Sequence, residues 1–162
     1  MLPSRMYKRI KLTRAATHRL PKIVADAAQG KGGKGQPLQV GVARPLSLNP
    51  VTQGVWFDLK DAGRALLLGI ISEGAAQVRV QFTATDLPPG AKLFVRSMSD
   101  VSDAYGAFEG RGALGNGEFW TPPVRGEGIV IEYLEPHVAK GSRRRKKVVP
   151  FRITQISHIF RD

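Results

Sequence analysis

The sequence predicts an all-β fold, a two-sheet antiparallel sandwich of jelly-roll type, and three observations carry that prediction. Short segments alternate apolar and polar residues with a period of two, as a half-buried strand requires. The clearest is Gln77 to Thr83, which puts Val78, Val80 and Phe82 on one face and Gln77, Arg79 and Gln81 on the other. Turn-forming pairs recur between such segments, at Glu73-Gly74, Leu87-Pro88-Pro89-Gly90, Asn116-Gly117 and Arg125-Gly126. Finally, 18 Gly and 11 Pro in 162 residues suit many turns without reaching a disordered or collagen-like composition. That length supports one domain with a substantial core.

Taken in chain order, residues 1–37 read as a basic, weakly helical leader and linker, and residues 38–162 as the sandwich. Met6, Ile10, Leu20, Ile23, Val24 and Ala27 recur at partly helical spacing, and Pro21 interrupts it. Lys8, Arg9, Lys11 and Arg14 break any apolar stretch of a secretory signal. A leader so rich in arginine faintly resembles an organellar presequence. The plainer expectation is a basic leader, or the start of a truncated reading frame. Gly30-Lys31-Gly32-Gly33-Lys34-Gly35 follows as a flexible linker. It lacks the Gly-Lys-Ser/Thr ending of a phosphate-binding loop.

Strands are then expected at Val55 to Leu59, Arg64 to Ser72, Gln77 to Thr83, Ala91 to Arg96, Gly128 to Leu134 and Phe151 to Ile159. The near-continuous apolar run Leu66, Leu67, Leu68, Ile70 and Ile71 predicts a central strand covered on both sides. A change of phase between Ile153 and Ile156 predicts a bulge near Gln155. Val101 to Gly117 shows no pattern, and its five glycines suggest a long loop.

Charge divides the chain. Net charge is +12, but residues 1–40 carry nine Lys/Arg and one acid, and residues 140–162 carry eight and one. Residues 41–139 carry eight against eleven, so the predicted body is mildly acidic and the basicity lies at the ends. A nucleic-acid surface built into the fold is therefore not expected. Cysteine is absent, which excludes disulfides, thiol catalysis and cysteine-ligated zinc. No apolar run is long enough to span a membrane.

Candidate chemistry is sparse. His18, His137 and His158 share no metal-ligand spacing, and His158 is expected to be a strand histidine that is hydrogen-bonded or half exposed. No Gly-x-Ser-x-Gly elbow occurs. Asp100, Asp103 and Glu109 could ligate calcium but match no calcium-loop pattern, and read better as solvated loop acids. No cofactor or metal is expected, nor any catalytic residue. Trp56 and Trp120 could stack on a ligand such as a glycan, although both border strand-like segments and core packing is the plainer reading. Arg143, Arg144, Arg145, Lys146 and Lys147 form the strongest local charge feature. It could meet a polyanion or a processing protease, or simply tip a solvated hairpin loop between the last two strands.

Several segments, in order, resemble one family. These are Gly41-Val42-Ala43-Arg44-Pro45, Ile71-Ser72-Glu73-Gly74-Ala75 and Leu87 to Val95, followed by Phe119 to Gly126, Ile129 to Glu132, and Ile156 to Arg161. Together they resemble the non-catalytic region that precedes the peptidase domain in secreted bacterial trypsin-like serine endopeptidases of the lysyl-endopeptidase type. The resemblance covers residues 41–162. It implies an extracellular pro- or accessory domain whose partner is a serine peptidase domain, in cis or in trans. Such a module would aid folding, restrain the zymogen or anchor the enzyme. The alternative is a stand-alone module binding a cell-surface polymer or polyanion. The family's catalytic residues lie in a downstream domain with a Gly-Asp-Ser-Gly-Gly segment, so none maps onto this chain.

Overall fold

The computed structural model describes residues 17–23, 40–137 and 149–160. Its framework is the pair of strands with the strongest sequence patterns. Arg64–Ser72 (β4) and Gln77–Thr83 (β5) are joined by a turn in which Gly74 takes a φ of 81°. That left-handed value is open to glycine at no steric cost, which is why the turn follows Glu73. β4 and β5 do not pair with each other. Each is the centre of a different sheet.

Around β4 runs a six-stranded sheet. Gly128–Glu135 (β10) pairs with it antiparallel along its whole length, and Lys92–Ser97 (β6) and Ala104–Phe108 (β7) continue outward. The other edge of β4 is shared by two short strands. Val55–Asp58 (β3) pairs antiparallel with its first half, and Thr17–Leu20 (β1) pairs parallel with its second. Around β5 runs a five-stranded sheet in which Arg152–Ile159 (β11) lies between β5 and Gly41–Pro45 (β2). Phe119–Trp120 (β8) and Val124–Arg125 (β9) share the far edge of β5. A one-turn helix Pro50–Gln53 (α1) leads into β3, with Asn49 Oδ1 accepting from the Val51 N–H as its cap.

The core lies between the sheets. Leu66, Leu68 and Ile70 of β4 join Leu93, Val95, Ile129, Ile131 and Tyr133 from one side. Val78, Val80, Phe82, Ile153, Ile156 and Phe151 face them from the other. Val78, Val80 and Phe82 are wholly buried, and each contributes about 1.5–3 kcal/mol by leaving water. Phe82 packs edge-on against Phe151 at 5.6 Å, and Phe151 meets Tyr133 across the layers at 5.4 Å. The opposite face of the six-stranded sheet is apolar too. Ala65, Leu67 and Val130 form a second buried cluster with Phe57, Leu59, Met98 and Leu134. β4 is thus buried on both faces, which is why its sequence is a continuous apolar run and not an alternation.

Most of the expected strands hold their places, and the register shift between Ile153 and Gln155 is the predicted bulge. Three details differ. The leader was expected to be weakly helical, but its described part forms β1, because Thr17 to Leu20 find a free edge of β4. The patternless stretch from Val101 to Gly117 contains β7, an edge strand with no fully buried residue, whose Tyr105 and Phe108 pack half-buried against the core three residues apart across a register shift, so no alternation appears. The basic run was expected at a hairpin tip, yet the strands that flank it, β10 and β11, belong to different sheets.

Candidate functional site

The two ends of β4 carry polar side chains on the core-facing side, and each end closes the sandwich differently. At the first end Arg64 Nε donates to Glu135 Oε2 at 2.5 Å. The Arg64 guanidinium also lies over the Trp56 ring, 4.2 Å from its centre, and Trp56 meets Tyr133 edge-on at 6.4 Å. Trp56 sits opposite Leu66 in the β3–β4 register, so it lines the core and is half-buried. It packs against the core cluster there.

At the other end Ser72 Oγ lies 2.7 Å from His158 Nδ1. Ser72 is wholly buried and His158 is 2% exposed. This bond joins β4 of one sheet to β11 of the other. Arg44 of β2 donates through Nη1 to Ser72 Oγ at 3.0 Å and through Nη2 to the Pro21 carbonyl at 2.5 Å. Arginine can only donate, so the network is satisfied when the Ser72 hydroxyl donates to a neutral His158. Burial, and then the Arg44 charge, hold the His158 imidazole below the ordinary histidine pKa of 6.5. Burial also lowers the pKa of Arg44. The histidine is a hydrogen-bonded strand residue, as its setting in the sequence suggested. Its partners Ser72 and Arg44 escaped sequence reading, because they lie 86 and 28 residues from their contacts. The available signal was a polar residue in the inward phase at the end of an apolar strand.

A serine bonded to a histidine invites comparison with a nucleophile and its base. The surroundings are wrong for that chemistry. A catalytic pair needs a carboxylate to stabilise the imidazolium and an exposed hydroxyl to reach a carbonyl. Here an arginine occupies the neighbouring position, its charge disfavours imidazolium, and the hydroxyl is enclosed.

Trp120 lies elsewhere. It pairs with Gln81 on the outer face of the five-stranded sheet, half-buried, with the Arg79 guanidinium 4.8 Å from its ring centre. Gln81 accepts from Gln155 Nε2 at 2.6 Å and donates to Glu118 at 2.9 Å, forming a polar patch around the ring. Arg143, Arg144, Arg145, Lys146 and Lys147 lie outside the described residues. Two of the three loop acids are occupied: Asp100 Oδ1 accepts from the Ser102 N–H and hydroxyl, and Asp103 Oδ2 from the Arg125 N–H. Those bonds to Ser102 hold the Asp100 carboxyl below its usual pKa. They border a shallow polar cleft of about 470 Å³ that Tyr105 and Gln77 also line. Among the described residues no three His, Asp or Glu side chains gather as a metal site, and no helix is long and apolar enough to cross a membrane.

Comparison with known families supplies a context for this arrangement. The model of the lysyl endopeptidase N-terminal domain matches residues 11–160. The chain belongs to that family. The match begins ahead of β1 and ends with β11, so the family's domain takes in both sheets and the parallel strand of the leader. Neither a search of curated proteins nor one of solved structures returns a match. The buried serine–histidine pair lies within the matched residues.

Proposed function

We propose that this chain is a non-catalytic pro- or accessory domain of a secreted trypsin-like serine endopeptidase, working by contact and not by bond chemistry. The family match over residues 11–160 carries the reading. Its site of action would be extracellular, and its partner a peptidase domain in cis or in trans. The outer face of the five-stranded sheet is the contact surface with the best credentials. An arginine stacked on a tryptophan, ringed by amides, combines the two residue types that dominate protein–protein contacts. The same geometry weighs against a sugar platform, since Arg79 already covers one face of the Trp120 ring.

A refolding assay tests this proposal. A lysyl-endopeptidase catalytic domain without its N-terminal region is refolded with and without the chain, and activity on a lysyl ester substrate is recorded. We expect the chain to change the recovered activity, by assisting folding or by inhibition, while hydrolysing nothing alone. Trp120→Ala and Arg79→Ala should weaken that effect at least about tenfold in concentration, the loss of a single contact residue. Equal recovery with and without the chain, and no complex on gel filtration, would refute the accessory role.

A further inference from the structure

The buried closure around Ser72 touches more than the two sheets. Arg44 donates to the carbonyl of Pro21, the residue that follows β1, and Leu20 stands beside Ser72 in the β1–β4 register. β1 itself is weakly held. It is a four-residue strand on one edge, paired in parallel, and Leu20 is its one buried side chain. Its Arg19–Glu73 ion pair spans 3.9 Å between side chains that are 58% and 43% exposed, and such pairs contribute little. Leu20 packs into the core, and the Arg44 bond to Pro21 is the polar contact that ties the end of β1 to the junction between the two sheets.

We infer that the Arg44–Ser72–His158 network is an acid-sensitive latch: it holds β1 on the six-stranded sheet while His158 is neutral and lets the strand go when His158 takes a proton.

The chemistry of the junction gives the reason. A protonated His158 turns Nδ1 from acceptor to donor, so the single Ser72 oxygen faces donors on both sides and its own proton loses its acceptor. Two cations then flank one buried hydroxyl. Arg44 is the mobile partner, because it reaches in from an edge strand and keeps a route to solvent. Its withdrawal takes the Pro21 bond with it. Among the described residues the charge that acts on His158 is that of Arg44, and no carboxylate offsets it. β5 presents Val78 opposite His158, and Arg79 takes the other phase of that strand. On β4 the neighbour is Ser72, and the Glu73 beyond it is engaged by Arg19. Glu127, before β10, accepts from the Gly74 N–H. On its own strand His158 is packed against Phe160, with ring centres 4.9 Å apart. His18 of β1 lies two residues from Leu20, opposite Ile70, and serves as the control histidine.

The sign follows from linkage. A histidine whose folded pKa lies below its unfolded value of 6.5 stabilises the fold fully above that value, and the stabilisation falls as pH drops beneath it. The latch is therefore closed at neutral pH and opens in mild acid.

Hydrogen exchange on the full chain tests the latch, with protection of the Thr17 to Leu20 amides followed from pH 7.5 to 5 after correction for intrinsic exchange. We expect that protection to fall about tenfold or more across the window, while amides of β10 keep theirs. His158→Gln cannot take up a proton here and should flatten the β1 profile, whereas His18→Gln should leave it intact. Ring NMR of His158 in the unaltered chain is the check that needs no variant: its titration should coincide with the loss of protection. Titration of His158 with constant β1 protection would overturn the inference. So would an unchanged β1 profile in His158→Gln.

Discussion

The two closures of β4 start from the same problem and solve it with different chemistry. Each end of this strand turns a polar side chain toward the core, and an arginine takes part in each closure. Arg64 finds a carboxylate, Glu135, and an aromatic face, Trp56, so its charge is neutralised by a partner whose sole function there is to accept. Arg44 finds a hydroxyl and a carbonyl, and behind the hydroxyl a histidine. The first closure has its charges in balance. The second is balanced only while the histidine stays neutral. A sandwich end sealed by an ion pair is a fixed joint, and one sealed through a neutral imidazole is conditional on pH.

The largest effect that would break this contrast lies at the fixed end. Glu135→Ala leaves Arg64 facing the core without its acceptor. Glu135 is 5% exposed and the Arg64 side chain 28%, so the loss is smaller than for a wholly buried pair, about 2–3 kcal/mol. A urea titration followed by tryptophan fluorescence reads it as a lower midpoint with an unchanged slope. No histidine takes part in this closure, so the loss should be equal at pH 7.5 and 5.5. A loss that grows with acid would mean that the two ends are not chemically distinct.

Ser72→Ala comes next. It removes the junction atom of the conditional end and leaves the His158 Nδ1 and the Arg44 Nη1 without their shared partner. At pH 7.5 the expected cost is about 1–2 kcal/mol. Urea titrations at several pH values should show that this cost shrinks in acid, because the intact network is then already broken. A cost independent of pH would assign Ser72 a packing role alone.

How much of this was legible in the sequence depends on the range of the interaction. Alternation revealed β5 and β10, and an unbroken apolar run revealed β4, because a strand's own residues record which of its faces are buried. β1 and β7 left no such record. One is a short parallel strand whose place is set by a free edge 52 residues further along, at the Thr17–Gly69 pair, and the other meets the core only through the half-buried Tyr105 and Phe108, out of alternating phase. The relay is harder still. Ser72 reads as the last residue of a strand and His158 as one more strand residue, and only the stacking of two sheets brings them to 2.7 Å. Trp56 and Trp120 looked alike in sequence, each beside a phenylalanine. The register separates them: Trp56 opposes Leu66 on the core side, and Trp120 opposes Gln81 on the outer side.

Trp56→Phe sharpens the account of the fixed end at lower cost. The indole N–H is buried and has no hydrogen-bond partner, so phenylalanine removes an unsatisfied donor while keeping an aromatic ring under Arg64 and against Tyr133. The lost ring area and the relief of the donor oppose each other, and the net change should stay under about 1 kcal/mol. A drop in the urea midpoint as large as that of Glu135→Ala would mean that the tryptophan, and not the ion pair, seals that end.

The smallest effect is the coupling between the ends. Arg64 and Ser72 are the first and last residues of a nine-residue strand, roughly 26 Å apart at about 3.3 Å per residue. No side chain is shared between the two closures. Their free energies should therefore add, and the double variant Glu135→Ala/Ser72→Ala should lose the sum of the single losses to within about 0.5 kcal/mol. Between the ends, Leu66, Leu68 and Ile70 are packed in the core and hold the strand in place whichever end is cut. A larger coupling would require β4 to shift as a rigid rod when one end is released. Opening the Ser72 end in acid would then also strain the Arg64 pair, and the latch would move the whole six-stranded sheet instead of freeing one short strand.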